Sequence, residues 1–182
     1  MKRNLLISLV LVGLIVVSRI VPHLWNVAPV AAAALLAGAV LPRKWALLVP
    51  LVGMLASDLF IGFYHWPVML TVYASFALMA VGGRFIKLNK PLYWLTGSLA
   101  SSTLFFLATN FAVWATANWY PKTLEGLMLS YTLAIPFFRN TMLGDLIFTG
   151  VLFGVWALIR QYVIHPVRHQ IINNQPNTLI VG

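Results

Sequence analysis

The sequence predicts an all-α integral membrane protein, a bundle of six transmembrane helices. Of its 182 residues, 61% are hydrophobic and 8% are charged, whereas a soluble domain averages about 45–50% apolar and about 25% charged residues. The mean hydropathy is +0.90. The apolar residues come in blocks of about 15–25 separated by short polar turns, and this is the length that crosses a bilayer.

Four such blocks fill the first half of the chain, at residues 4–21, 28–41, 45–62 and 66–81. The first follows two basic residues, as a signal peptide does, but residues 18–22 contain no small-x-small cleavage site, so we expect a retained helix. The second block is short, about 21 Å at about 1.5 Å per residue. Either the bilayer is thin at this block or the preceding loop enters the membrane.

The second half contains a fifth block at residues 92–117 and an ambiguous stretch at 123–163. That stretch could hold two spans, or one span preceded by a lateral helix. Because a single crossing keeps the basic residues that follow it on the same side as most of the others, we expect an outer-side or re-entrant helix at 124–138, interrupted by Pro136, and a sixth span at 140–159.

The basic residues orient these spans. If residues 123–163 cross the membrane once, nine of the 12 Lys and Arg residues lie on one side. The positive-inside rule assigns that side to the cytoplasm. We therefore expect both termini in the cytoplasm, with one transmembrane domain at residues 1–163 and a short cytoplasmic tail at 164–182. The net charge of +9 forms no basic stripe, so it indicates membrane topology and excludes a nucleic-acid surface.

Polar side chains collect in the half of the bundle predicted to face outwards. Asp58, for example, lies about 20 Å above the inner end of its span, at about 1.5 Å per residue. A charge within the membrane costs about 2.5–3.5 kcal/mol, so it normally faces the bundle interior. These residues either pair to hold helices together or line a substrate pocket. The candidate substrate-binding residues are Arg19, His23, Asn26, Asp58, Tyr64, His65, Asn110, Trp114, Arg139, Asn140 and Asp145.

The second block carries a stripe of small residues. Ala33 with Ala37, and Ala34 with Gly38, form small-xxx-small pairs that let another helix approach closely. The stripe serves either packing inside the bundle or docking to a separate membrane subunit.

Several kinds of chemistry are missing from the sequence. There is no cysteine, which excludes disulfides and thiolate ligands, and there is no P-loop or GxSxG motif. Asp58 and Asp145 could in principle form an intramembrane aspartyl pair, but their flanking residues match no protease signature. We expect no enzyme activity, no metal and no cofactor.

Four segments carry a resemblance to a family of small bacterial membrane proteins, at residues 19–30, 57–64, 109–114 and 135–146. That family is similar to the substrate-binding S components of energy-coupling-factor (ECF) vitamin transporters. The resemblance implies a cytoplasmic (inner) membrane location, an outward pocket and capture of a vitamin or cofactor precursor. S components typically dock through Ala-xxx-Ala in the first helix, whereas here the small residues lie in the second block.

The leading hypothesis is therefore a transport component that binds a small, largely uncharged ring-containing nutrient. Its partners would be that substrate, the lipid bilayer and an ECF ATPase module. The alternative is a structural or accessory membrane subunit whose buried charges lock the helices together. The third is an intramembrane enzyme that uses Asp58 and Asp145.

Overall fold

The computed structural model describes residues 2–22 and 27–164, which contain six α-helices and no strand. The helices are α1 (Lys2–Ile20), α2 (Val30–Val40), α3 (Arg43–Ile61), α4 (Trp66–Gly82), α5 (Pro91–Thr116) and α6 (Leu124–Ile159). A 3₁₀ turn (Gly83–Phe85) extends α4, and a π-helical turn (Arg160–Ile164) extends α6. Five of the helices in this part of the chain are long and apolar enough to cross a membrane, and α2 is shorter.

The first five helices confirm the predicted blocks, with each end within two residues of its expected position. Polar or proline-containing turns end the helices, as at Pro42 before α3 and at Gly62, whose φ of 103° favours glycine after α3. Residues 165–182, almost all of the predicted tail, lie outside the described residues.

The predicted break at Pro136 is wrong, because α6 runs without interruption for 36 residues. Proline removes one backbone hydrogen bond but leaves the others in place, and in an apolar environment a helix is the simplest way to satisfy them. Contacts with α5 support the helix on both sides of the proline. The Tyr131 hydroxyl donates to the Leu107 carbonyl at 2.9 Å, and the Phe138 ring stacks on Phe106 at 4.5 Å.

The helices alternate in direction along the bundle. α1 and α3 run parallel, since Gly53 lies against Ile15 and Ser57 bonds to Arg19 one turn further on. α5 and α6 run antiparallel. An apolar groove that includes Ile7 of α1 and Trp156 of α6 places the start of the first helix beside the end of the last. We call this end the terminal end of the bundle and the opposite one the cavity end.

α2 is the centre of the bundle, with nine of its 11 residues buried. Gly38 and Gly83 allow it to contact the end of α4, because a Cβ on Gly38 would lie 2.0 Å from the Ala80 oxygen and one on Gly83 2.2 Å from the Leu35 oxygen. The predicted docking residues Ala33, Ala34, Ala37 and Gly38 are all buried inside the chain. The structure therefore places this small-residue stripe in internal packing, away from any surface that a separate subunit could reach.

Candidate functional site

A cavity of about 370 Å³ opens between the helices at the cavity end. All six helices, or the loops that join them, contribute to its wall. The lining residues are Arg19, Ala28, Val30, Ala31, Met54, Ile61, Tyr64, Val72, Phe76, Met79, Phe105, Thr141 and Asp145. The wall thus combines three aromatic rings with one basic and one acidic side chain.

Arg19 is held in place by α3. Its Nη2 lies 2.7 Å from Asp58 Oδ1, and its Nη1 donates to Ser57 Oγ at 2.5 Å. Tyr73 of α4 donates its hydroxyl to Asp58 Oδ2 at 2.7 Å. Asp58 is fully buried, and its charge is compensated by the guanidinium and the phenol. This network ties α1, α3 and α4 together and leaves the Arg19 side chain on the cavity wall.

Tyr64 lies in the turn between α3 and α4 and faces the same cavity. Burial, assisted by the nearby Asp58 carboxylate, raises the pKa of Tyr64 to about 12. Its phenol is therefore neutral throughout the physiological pH range, and it offers a ligand an aromatic face together with a hydrogen-bond donor and acceptor.

Asp145 reaches the cavity from α6 and is 4% exposed. It accepts a hydrogen bond from the Ser102 hydroxyl of α5 at 2.6 Å. Asp58 and Asp145 thus have different partners on different helices. The predicted aspartyl pair would need them side by side around water, and in the described part of the chain no hydrogen bond or other contact joins them.

Asn110 lies next to this site in a smaller cavity of about 190 Å³ between α5 and α6. Its amide donates to the Phe106 carbonyl of its own helix at 2.8 Å. Phe105 and Thr141 line both cavities, so the two spaces adjoin each other.

Four other predicted site residues, His65, Trp114, Arg139 and Asn140, line neither of these two cavities. His65 pairs with Thr116 at 3.1 Å, and the Trp114 indole donates to the Pro121 carbonyl at 3.0 Å, so both secure loops at the cavity end. Arg139 and Asn140 are exposed on α6. His23 and Asn26 lie outside the described residues.

Sequence reasoning missed the hydroxyl partners and the apolar wall. Tyr73 and Ser102 are polar groups within apolar spans, but serine and tyrosine are common in membrane helices, so their signal is weaker than that of the aspartates they contact. Phe76, Phe105 and Met54 carry no such signal, because in an apolar span a cavity-facing side chain looks the same as a lipid-facing one.

These features define the class of protein: an all-helical bundle of the membrane-spanning type, with an internal cavity lined by aromatic and charged groups. The chain belongs to the DUF6580 family, a family of unknown function, which it matches over residues 1–169. No curated protein and no solved structure matches it.

Proposed function

We propose that this protein is a transport component of the bacterial inner membrane that binds a small nutrient, in the manner of an ECF S component. The observation that carries the proposal is the cavity of about 370 Å³ to which all six helices contribute. Ligand pockets in proteins are mostly apolar, with a few polar groups that fix the ligand's orientation, and they occur between the helices of bundles.

The lining indicates the kind of ligand. Tyr64, Phe76 and Phe105 offer aromatic faces, while Arg19 and Asp145 offer polar contacts. The volume is at the lower end of the range of about 300–1,000 Å³ typical of ligand pockets. A vitamin or cofactor precursor with one or two rings fits this description better than a corrinoid.

In the proposed topology the cavity end faces outwards and both termini lie in the cytoplasm, which gives six crossings. α2 is too short to span alone; Ala28, just before it, lies on the cavity wall, while residues 23–26 of the preceding loop lie outside the described residues. Movement of the ligand would need a change of conformation or orientation, driven by ATP hydrolysis in a partner. Because the small-residue stripe of α2 is buried, an ECF-type module would have to dock elsewhere.

The test is ligand binding by the purified protein in mild detergent. Thermal unfolding is measured with a panel that includes riboflavin, thiamine and cobalamin, and we expect one small-ring compound to raise the midpoint. Phe105→Leu, on the cavity wall, should weaken binding of that compound, whereas Phe111→Leu, exposed on the same helix, should not. If no member of the panel is bound, the proposal fails.

A structural or accessory role is the second candidate, and the Arg19, Asp58 and Tyr73 network favours it. That network links three helices without needing a ligand. On this account Asp58→Asn lowers thermal stability and leaves any uptake unchanged. On the transport account it also impairs binding, because it releases Arg19 from its place on the cavity wall.

A further inference from the structure

A second polar site lies between α5 and α6, beside the Asp145 edge of the cavity and towards the terminal end of the bundle. Two contacts fix the register of these antiparallel helices: Ser102 with Asp145 at 2.6 Å, and the rings of Trp94 and Phe153 at 5.5 Å. Midway between them in both helices, the same register brings Ser98 opposite residue 149, a threonine. The pairs 102/145 and 98/149 are therefore stacked one helical turn apart.

The 98/149 pair consists of two fully buried hydroxyl side chains. Ser98 and Thr149 are both 0% exposed, and neither hydroxyl oxygen has a hydrogen bond in the described part of the protein. Serines and threonines in these helices commonly bond to a carbonyl of the preceding turn, as Thr141 does at 3.1 Å. An unsatisfied buried hydroxyl costs free energy, and two of them lie opposite each other in the helix register, which points to a ligand or water between the helices.

Among the described residues, no basic side chain pairs with the neighbouring carboxylate of Asp145. Arg19, the other charged residue of the cavity wall, is paired with Asp58, which leaves Asp145 with the Ser102 hydroxyl as its described partner. A buried carboxylate without a cation is strongly disfavoured. A bound cation would supply the missing positive charge and also coordinate the unpartnered hydroxyl oxygens.

We propose that Asp145, Ser102, Ser98 and Thr149 form a binding site for a monovalent cation, specifically Na⁺. All the side-chain donors are hard oxygens, which suit alkali and alkaline-earth ions. One carboxylate balances one positive charge, whereas sites for divalent ions usually combine several carboxylates. Water would complete the coordination, because α5 and α6 are uninterrupted and their backbone carbonyls already accept hydrogen bonds within each helix.

This site goes beyond the proposed nutrient binding and does not depend on it. Asp145 belongs to both the cation site and the cavity wall. Occupation by Na⁺ would neutralise the carboxylate beside the ligand, so each would alter the affinity of the other through this residue.

The experiment measures thermal unfolding of the full chain in detergent without any organic ligand. Choline chloride is replaced stepwise by NaCl, and in parallel by KCl, at constant pH and ionic strength. We expect a saturable rise in the unfolding midpoint with Na⁺ and a smaller one with K⁺. Direct binding of ²²Na⁺ provides a second measurement that does not depend on unfolding.

The variants Thr149→Val, which keeps the side-chain shape, and Ser98→Ala each remove one hydroxyl. Each is expected to weaken the apparent Na⁺ affinity by about tenfold or more, as the loss of supporting ligands does at other metal sites. The matched control is Thr132→Val, an exposed threonine of α6 whose hydroxyl bonds to its own helix, and it should keep the wild-type response.

Equal responses to Na⁺, K⁺ and choline would overturn the proposal, since water would then satisfy the hydroxyls. Unchanged ²²Na⁺ binding in folded Ser98→Ala and Thr149→Val would overturn it too. Because no nutrient is present in this experiment, a negative result leaves the nutrient-binding proposal intact. Equally, a negative result with the vitamin panel leaves the Na⁺ proposal intact.

Discussion

Arg19 and Asp58 illustrate how one ion pair can serve both stability and a binding site. Asp58 is fully buried, so its charge depends on the guanidinium 2.7 Å away and on the Tyr73 hydroxyl. Replacing a buried pair with apolar groups can be harmless, but removing one partner leaves an uncompensated charge in a low dielectric.

Arg19→Gln is therefore expected to destabilise the protein by about 3–5 kcal/mol, the usual cost of breaking a buried pair from one side. Arg139→Gln is the matched control, since Arg139 is exposed and lines neither cavity; its effect should stay within about 0.5 kcal/mol. Unfolding in detergent measures both. Equal effects of the two substitutions would show that the pair does not hold the helices together.

Tyr73→Phe probes the other contact of Asp58. It removes a hydrogen bond to a charged group, which contributes about 1.5–3 kcal/mol, and it preserves the ring. We expect a lower unfolding midpoint than in Tyr93→Phe, the control, because Tyr93 lies at the terminal end of α5 near Lys87. A wild-type midpoint in Tyr73→Phe would mean that Arg19 alone compensates Asp58.

At the scale of the helices, Gly38 and Gly83 set the packing of the buried central helix α2 against the end of α4. A Cβ on Gly83 would lie 2.2 Å from the Leu35 oxygen, whereas one on the adjacent Gly82 would meet nothing within 4 Å. Gly83→Ala should cost about 1–3 kcal/mol through overpacking of α2 against α4, and Gly82→Ala should be close to neutral. Comparable unfolding midpoints for the two variants would contradict this packing.

The continuity of α6 can be measured directly, because the chain has no cysteine of its own. Spin labels on cysteines at Met128 and Ile147, both exposed, flank Pro136. A continuous helix places these two positions about 28 Å apart, at about 1.5 Å per residue. A clearly shorter distance between the labels would indicate the re-entrant break that the sequence predicts.

The elements were largely predictable because length and hydropathy determine where an apolar helix begins and ends. Five helices followed from the positions of polar turns and prolines. The break at Pro136 did not, because the effect of a proline depends on what packs around it. Here Tyr131 and Phe138 hold the helix against α5 on either side, and neither contact is visible in the local sequence.

At the scale of the whole molecule, charge and depth predicted part of the site. Counting along the spans placed Arg19, Tyr64 and Asp145 at one end, and the structure brings these three to one cavity. The same counting could not distinguish these three from His65, Trp114 and Arg139, which lie at the same end but line neither cavity. The depth of a residue in the membrane can be counted along its own helix. Whether its side chain faces a cavity depends on how all six helices pack.

The proposed membrane orientation predicts a labelling pattern. Trp119 and Phe85 are each 78% exposed and lie in turns at opposite ends of the bundle. A cysteine at residue 119 should react with a membrane-impermeant maleimide in intact cells. A cysteine at residue 85 should react only after permeabilisation. The reverse pattern would place the cavity end in the cytoplasm.

The central claim is that the cavity holds a small ring-containing nutrient, and mass spectrometry of what co-purifies in mild detergent tests it most directly. Three proteins are compared: the natural chain, Ala31→Phe, which fills the cavity, and Ala115→Phe, a control on the exposed surface of α5. We predict one small ring compound with the natural chain and the control, and its loss from folded Ala31→Phe. Recovery of no such compound from the natural chain, or equal recovery from all three, would contradict the claim.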